Sequence, residues 1–402
     1  MSLFRQKLYM ATVLGHFTVD VFGSIGPVLV TFLSVPMALS AAQIGLAIGA
    51  YQLLAAITQP LFGWLTDSIG SRWFGTLSLP WTVTFMTLAI VAAQTSGNFW
   101  LLLLPFALAA IGSGAFHPQA AMHAATTVAR RAAMATAIFF LFGQAGLATG
   151  PIVTGVILDN LGTSGMYGLT VLSLPVLLFL AYAMREGFVP TKTTEAPKAT
   201  EAAPDNSEPA NWSNLILLAV LAGLRSWAFL GTVSFLPKLF QNMGWAATSY
   251  GLITGVYWLA SAAAGVVIGN LADRWGRRQV IFLSLLLGAP PLYFLPYSDG
   301  WIAFPLVIIS GGLLGGSNSI FVVIAQALLP GRKALASGAT MGYMFGIGAL
   351  AVWGIGTLAE IWSLTIIIQA GAAIGVLAAL MALWLPSTRQ SHQPPQTEQI
   401  PA

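Results

Sequence analysis

The sequence contains no cysteine and very little charge. Without cysteine there are no disulfides, no thiolate metal sites and no cysteine nucleophile. Charged residues make up 7% of the 402, against about 25% in soluble domains, while 57% are hydrophobic. A soluble core cannot hide that much apolar surface, so lipid must be the solvent for most of the chain. The net charge of +4 is carried by basic residues scattered over short segments, which excludes a nucleic-acid surface. Arg5 and Lys7 precede an apolar run, superficially like a signal peptide. That run is too long, contains His16 and Asp20, and has no small-residue cleavage site. It reads as a first membrane span.

A spanning helix needs about 20 mostly apolar residues. By that length the chain offers twelve candidates, at roughly 8–34, 42–66, 74–94, 98–122, 132–158, 165–185, 213–240, 248–270, 279–298, 301–328, 334–359 and 362–385. The expected fold is therefore an all-α polytopic membrane protein: a six-helix bundle over 1–185, a flexible cytoplasmic linker over 186–212, a second bundle over 213–386 and a disordered tail over 387–402. The linker is rich in Pro, Thr, Ala and Glu and cannot bury enough apolar surface to fold. With the N-terminus inside, fourteen of the sixteen Lys and Arg fall on the cytoplasmic side, as the positive-inside rule requires. The expected location is a bacterial inner membrane, with both termini cytoplasmic. The two exceptions lie on the seventh span. Lys238, near its outer end, is expected to snorkel outward; Arg225, near its middle, cannot easily do so.

The stretch GWLTDSIGSR at 63–72 returns 206 residues later as GNLADRWGRR at 269–278. Gly63, Leu65, Asp67, Gly70 and Arg72 match Gly269, Leu271, Asp273, Gly276 and Arg278, each copy between two apolar runs. The repeat divides the chain into two similar halves. GxLxDxxGxR at this position resembles the loop signature of the major facilitator superfamily of transporters. The first copy departs from it at Ser68 and Ser71, where basic residues are usual. The resemblance implies a gating role for Gly63, Asp67, Gly70, Arg72, Gly269, Asp273, Gly276, Arg277 and Arg278, as latches between helix ends. Gly143, Gly146, Gly150, Pro151 and Gly155 on the fifth span suit close helix packing. From Gly146 to Gly155 the pattern also resembles the antiporter signature of that superfamily, with Ala137 and Thr154 where glycines are usual. The eleventh span is similarly glycine-rich.

Ionisable groups inside a bilayer are costly and are functional candidates by default. His16 and Asp20 lie four apart on the first span and so share a helix face. His117 lies on the fourth, and Arg225 on the seventh. His123, near the end of the fourth span, reads as an interfacial structural residue. In the fold that the resemblance implies, spans one, four, seven and ten line a central cavity. The tenth offers Ser317, Asn318 and Gln326. A carboxylate in an apolar cavity resists ionisation and can exchange protons, so Asp20, with His16 and His117, is the expected proton-coupling set. The competing reading pairs Asp20 statically with Arg225. Arg225 has a planar donor fork suited to phosphate, phosphonate or carboxylate and predicts an anionic substrate. Candidate substrate contacts are Arg225, His117, Gln52, Asn318, Gln144 and Trp227.

Leu14–His16 with Asp20, the run Gly112–Pro118, Leu224–Ser226 and Phe235–Pro237 resemble the fosmidomycin-resistance branch, as do Tyr51–Gln52 and Gln59–Pro60 on the second span. The resemblance covers nearly the whole chain and implies a proton-coupled antiporter exporting a small anionic or amphipathic compound. The alternative is proton-coupled uptake of an organic acid or another small metabolite. Many proton-coupled exporters carry an arginine on the fourth span; here there is none between Trp100 and Thr127. No cofactor and no metal is expected. An enzyme is disfavoured, because the histidines lack paired ligand spacing on one helix and the loops are too short for a catalytic domain. The expected partners are the substrate, protons and lipid, with the protein a monomer.

Overall fold

The computed structural model describes residues 6–70, 72–126, 131–185, 211–329 and 333–386. The expected tail, and all of the expected linker except Asn211 and Trp212, lie outside these residues together with Ser71, Arg130 and Arg332. Asn211 caps the seventh span and Trp212 begins it, so the helix with its cap reaches two residues into the expected linker. Among the described residues, twelve helical segments are long and apolar enough to cross a membrane. Spans two to five are Ala41–Ile69, Arg72–Ser96, Phe99–Thr126 and Ala132–Leu161. The sixth is Tyr167–Met184, entered through a tight turn at Thr163–Met166. The eighth, ninth, eleventh and twelfth are Ala247–Trp275, Arg277–Phe294, Lys333–Leu358 and Leu364–Ala382.

The first, seventh and tenth spans depart from regular helix, whereas the fourth, which carries His117, is continuous. The first is Lys7–Ser24 followed by Gly26–Ser34. The seventh, Trp212–Ser226 and Thr232–Asn242, is joined by a π-helical turn at Trp227–Gly231. The tenth breaks at Ser317, between Ala303–Gly316 and Asn318–Leu328. Such irregularities inside a membrane helix recur at functional positions. Large apolar side chains such as Leu172, Leu178 and Val266 are exposed around the bundle, as lipid-facing residues must be.

The repeated motif has a structural cause at one of its glycines. Gly70 and Gly276 end the second and eighth spans with φ of 93° and 96°, a region closed to most side chains. Each returns its amide to the last helical turn, Gly70 to Thr66 O and Gly276 to Ala272 O, both at 3.0 Å. Call the bundle end that holds these turns the motif end.

The closest backbone approaches between the two halves involve four helices. Residues of the second and eighth spans correspond at an offset of 206, and those of the fifth and eleventh at 201. Gly45 abuts Val352 O and Gly356 on the eleventh span, and Gly251 abuts Pro151 O and Gly155 on the fifth. Gly49 faces Ala349 O as Gly255 faces Ala148 O, and Gly356 faces Ala41 O as Gly155 faces Ala247 O. These contacts bring backbone against backbone, where a Cβ would collide. They concentrate toward the end opposite the motif turns. So do the cross-half hydrogen bonds: Gln52 to Ser234, Gln241 to Thr31 O, Lys238 to Ser34, Glu360 to the Ala42 amide and Asp159 to the amides of Ala247 and Thr248. Among the described residues, no hydrogen bond joins the halves at the motif end. The described residues of the two halves are thus hydrogen-bonded to each other at one end of the bundle and not at the other.

Candidate functional site

His16, Asp20 and His117 form one cluster. His16 Nε2 lies 3.3 Å from Asp20 Oδ2, and His117 Nε2 lies 3.2 Å from Asp20 Oδ1. The other nitrogen of each ring is committed to a carbonyl: His16 Nδ1 to Phe139 O at 2.8 Å and His117 Nδ1 to Ser113 O at 2.7 Å. A carbonyl only accepts, so both Nδ1 atoms carry hydrogen and both Nε2 atoms present lone pairs when the rings are neutral. Three acceptors therefore converge, and each N···O contact is attractive only with a proton in it. Asp20 sits between the two rings, with its side chain 12% exposed, while His117 is 25% exposed. The cluster is buried but reachable on one side.

Packing fixes this arrangement. Phe139 stacks on His16 with ring centroids 3.9 Å apart, and His117 meets His16 edge-on at 5.2 Å. A Cβ at Gly143 would lie 2.6 Å from His16 Nε2 and 2.8 Å from Asp20 Oδ2. The glycine of the fifth span thus provides space for the cluster as well as for helix packing. Each of the three residues offers one ligand atom, and these atoms lie within 4.8 Å of one another. The histidines lack paired ligand spacing on one helix, but the first and fourth spans together bring three potential ligands to one point.

Arg225 is placed differently from the static reading. It does not pair with Asp20. Its Nε donates to Leu314 O at 2.8 Å, Nη2 to Gly315 O at 2.7 Å and Nη1 to Asn318 Oδ1 at 3.0 Å. Its guanidinium carbon lies 4.7 Å from the centre of the Phe229 ring. The two carbonyls belong to the last turn of Ala303–Gly316, where the helix dipole is negative. The break at Ser317 thus solvates the cation with backbone dipoles. Among the described residues no carboxylate pairs with Arg225, so a fully buried positive charge keeps no counter-ion of its own.

The remaining candidates divide. Asn318 holds Arg225 and also approaches Met341 Sδ at 3.8 Å. Gln52 bridges to Ser234 on the seventh span at 3.2 Å, a contact between halves. Gln144 is half-buried, with no hydrogen bond among the described residues. The Trp227 ring packs toward Gly354 on the eleventh span. Gln326 donates to Ser337 at 2.6 Å. His123 is buried within the bundle, not interfacial, because the fourth span turns that face inward. Lys238 does not snorkel: Ser34 at 3.2 Å and Gln241 at 2.8 Å draw its ammonium into the seam between halves. Asp67 and Asp273 are exposed and make no ion pair among the described residues. Arg72 lies over Trp73 at 5.5 Å, and Arg278 Nη1 approaches Leu383 O at 3.5 Å. Among the described residues, none of these loop side chains bonds to the opposite half.

The sequence reading did not single out Phe139 and Ser113, whose carbonyls set the ring tautomers, or Leu314 and Gly315, whose carbonyls hold Arg225. Backbone acceptors leave no mark in residue identity. It also passed over Asp159 and Glu360, although the offset of 201 that relates Gly155 to Gly356 relates these acids too.

The family profile described as Major Facilitator Superfamily matches residues 8–246 and 215–401. The chain belongs to the Major Facilitator Superfamily. Within this family of membrane transporters for small molecules, it is 28% identical to the fosmidomycin resistance protein of Escherichia coli (strain K12), over 94% of this chain and 92% of that one. It is 26% identical to the multidrug resistance protein MdtG of Enterobacter lignolyticus (strain SCF1), over 72% and 70% respectively. The crystal structure of a D-xylose–proton symporter shares the fold with a TM-score of 0.78 at 15% identity, covering 96% of this chain and 99% of that one. The protein is thus a multi-pass membrane transporter of the major facilitator fold, with efflux and drug-resistance relatives.

Proposed function

We propose that this transporter is a proton-driven antiporter that exports a small anionic or amphipathic compound, of which a phosphonate such as fosmidomycin is the test case. The observation that carries the reading is the division of labour between the two halves. The N-terminal half holds three converging acceptors that need protons, and the C-terminal half holds a buried cation without a counter-ion. Asp20 is the proton carrier, with His16 and His117 sharing its protons. Arg225, steadied by Asn318, receives the anion. The motif end faces the cytoplasm, in agreement with the placement of the basic residues, and the membrane is the bacterial inner membrane. The end without hydrogen bonds between the halves then admits substrate from inside. Rocking of the halves about the midplane delivers it outside, and a single chain suffices for the cycle.

The test uses inside-out vesicles with an acid interior and EDTA throughout. Adding fosmidomycin is expected to release protons, and Asp20→Asn to abolish that release while substrate exchange survives. Proton release that persists in Asp20→Asn would move the coupling site elsewhere. No response to any of a panel of phosphonates would defeat the export reading and favour uptake of a metabolite.

A further inference from the structure

We propose that Asp159 and Glu360 are gating residues: a two-fold related pair of clasps that hold the outer face of this carrier shut and release when it opens outward. The inference uses the orientation argued above but not the identity of the substrate or the proton site. Asp159 follows the close contact of Gly155 with Ala247, and its two oxygens accept from the amides of Ala247 at 2.9 Å and Thr248 at 2.6 Å. Glu360 follows the equivalent contact of Gly356 with Ala41, and its Oε1 accepts from the Ala42 amide at 2.9 Å. The two acids differ by 201 in position, as do Gly155 and Gly356; of the three capped amides, Ala42 and Thr248 differ by 206, the offset of the repeat.

Each carboxylate therefore sits at the N-terminus of a helix in the opposite half, where free amides and the positive end of the dipole attract it. A cap of this kind normally belongs to the same chain segment as its helix. Here it crosses between the rigid halves, so it exists only while the outer ends touch. Separating them breaks these bonds and leaves the amides and both acids without each other, and the cap becomes a preference for the outward-closed state.

The two clasps are unequal. The second span is also capped by Ser40, whose Oγ accepts from the Gln43 amide while Gln43 returns to the Ser40 amide. The eighth span starts from Ala246, which has no side-chain cap. Among the described residues Asp159 is thus the only side-chain acceptor on that helix start, whereas Glu360 supplements an existing cap. Losing an N-cap shifts an equilibrium by about fivefold. Two independent clasps shift it by about 25-fold, with Asp159 contributing the larger part.

The chain lacks cysteine, so single cysteines report accessibility without background. Ser34→Cys places one in the outer seam, where Ser34 is buried against Lys238 and Gln241. Met341→Cys places one beside Asn318, which holds Arg225. Each is labelled with a membrane-impermeant maleimide, the first from outside and the second from the cytoplasmic face of inside-out vesicles. In Asp159→Ala, labelling at position 34 is expected to rise about fivefold or more and labelling at 341 to fall. Glu360→Ala should do less, the pair should exceed either alone, and Glu360→Asp with Asp159→Asn should recover part of the effect. Rates at position 34 within twofold of the parent would overturn the proposal. So would a parallel rise at both sites, which signals loosening of the fold. Labelling of 341 from outside in the parent would instead refute the orientation. None of these readouts needs substrate, so failure of the antiport reading would show separately.

Discussion

Replacing Arg225 should separate stability from binding. The guanidinium makes three hydrogen bonds, of 2.8, 2.7 and 3.0 Å, to Leu314 O, Gly315 O and Asn318 Oδ1. Arg225→Met removes all three, and each acceptor left unpaired costs about 1–3 kcal/mol. The same change removes a buried charge whose desolvation costs several kcal/mol. These terms oppose each other, so the folded protein should lose no more than about 2 kcal/mol. Binding has no such cancellation. An arginine has five N–H donors, and those not held by the protein are free for an anion. Charge-assisted bonds contribute about 1.5–3 kcal/mol each, so losing one or two should weaken an anion by roughly 10- to 1,000-fold or more. Arg225→Lys keeps the charge but not the fork and should fall between. Calorimetric titration of purified protein with fosmidomycin measures Kd, and thermal melting measures stability in parallel. Anion binding by Arg225→Met within threefold of the parent would refute the reasoning. Equal weakening of a neutral analogue would refute it as well, since only shape would then be involved.

Two further outcomes follow from local geometry. Gly143→Ala gains roughly 1 kcal/mol of helix propensity but drives a methyl against His16 and Asp20. Proton-coupled transport should therefore fall at least about tenfold, while the melting temperature changes little, as vesicle flux and thermal melting will show. Between the ninth and tenth spans, Asp299 accepts from Trp245 Nε1 at 2.6 Å and from the Gly300 amide at 2.7 Å, and these bonds hold its carboxyl below the usual carboxylate range. A lowered value means the contribution is complete above that range and fades as pH falls through the lowered value. The melting-temperature gap between the parent and Asp299→Asn should accordingly close in acid.

The architecture was legible because lipid imposes a simple pattern: apolar runs of spanning length, basic residues on one side and a motif repeated at half the chain. Span ends matched within a few residues. The deep polar residues were legible for the same reason, since so few occur. Their partners were not. Asp20 was free to pair with Arg225 on paper; the fold gives it two histidines, and backbone carbonyls settle which nitrogen of each ring faces it. Arg225 is held by carbonyls that a helix break exposes, and no residue letter announces a break at Ser317. Gly143 was visible as a glycine, yet its role depends on a cluster from two other helices. The clasp acids sit exposed at the ends of the fifth and eleventh spans, and only the register between halves distinguishes them.

The lone guanidinium has an electrical consequence. Among the described residues no carboxylate pairs with Arg225, so on the proposed reading an anionic cargo is what neutralises it. On the proposed cycle an anion leaves as protons enter, and both movements carry positive charge inward. Each such charge gains about 2.3 kcal/mol per 100 mV of membrane potential. The resting voltage of the cell would then drive this carrier even where the pH on the two sides is equal.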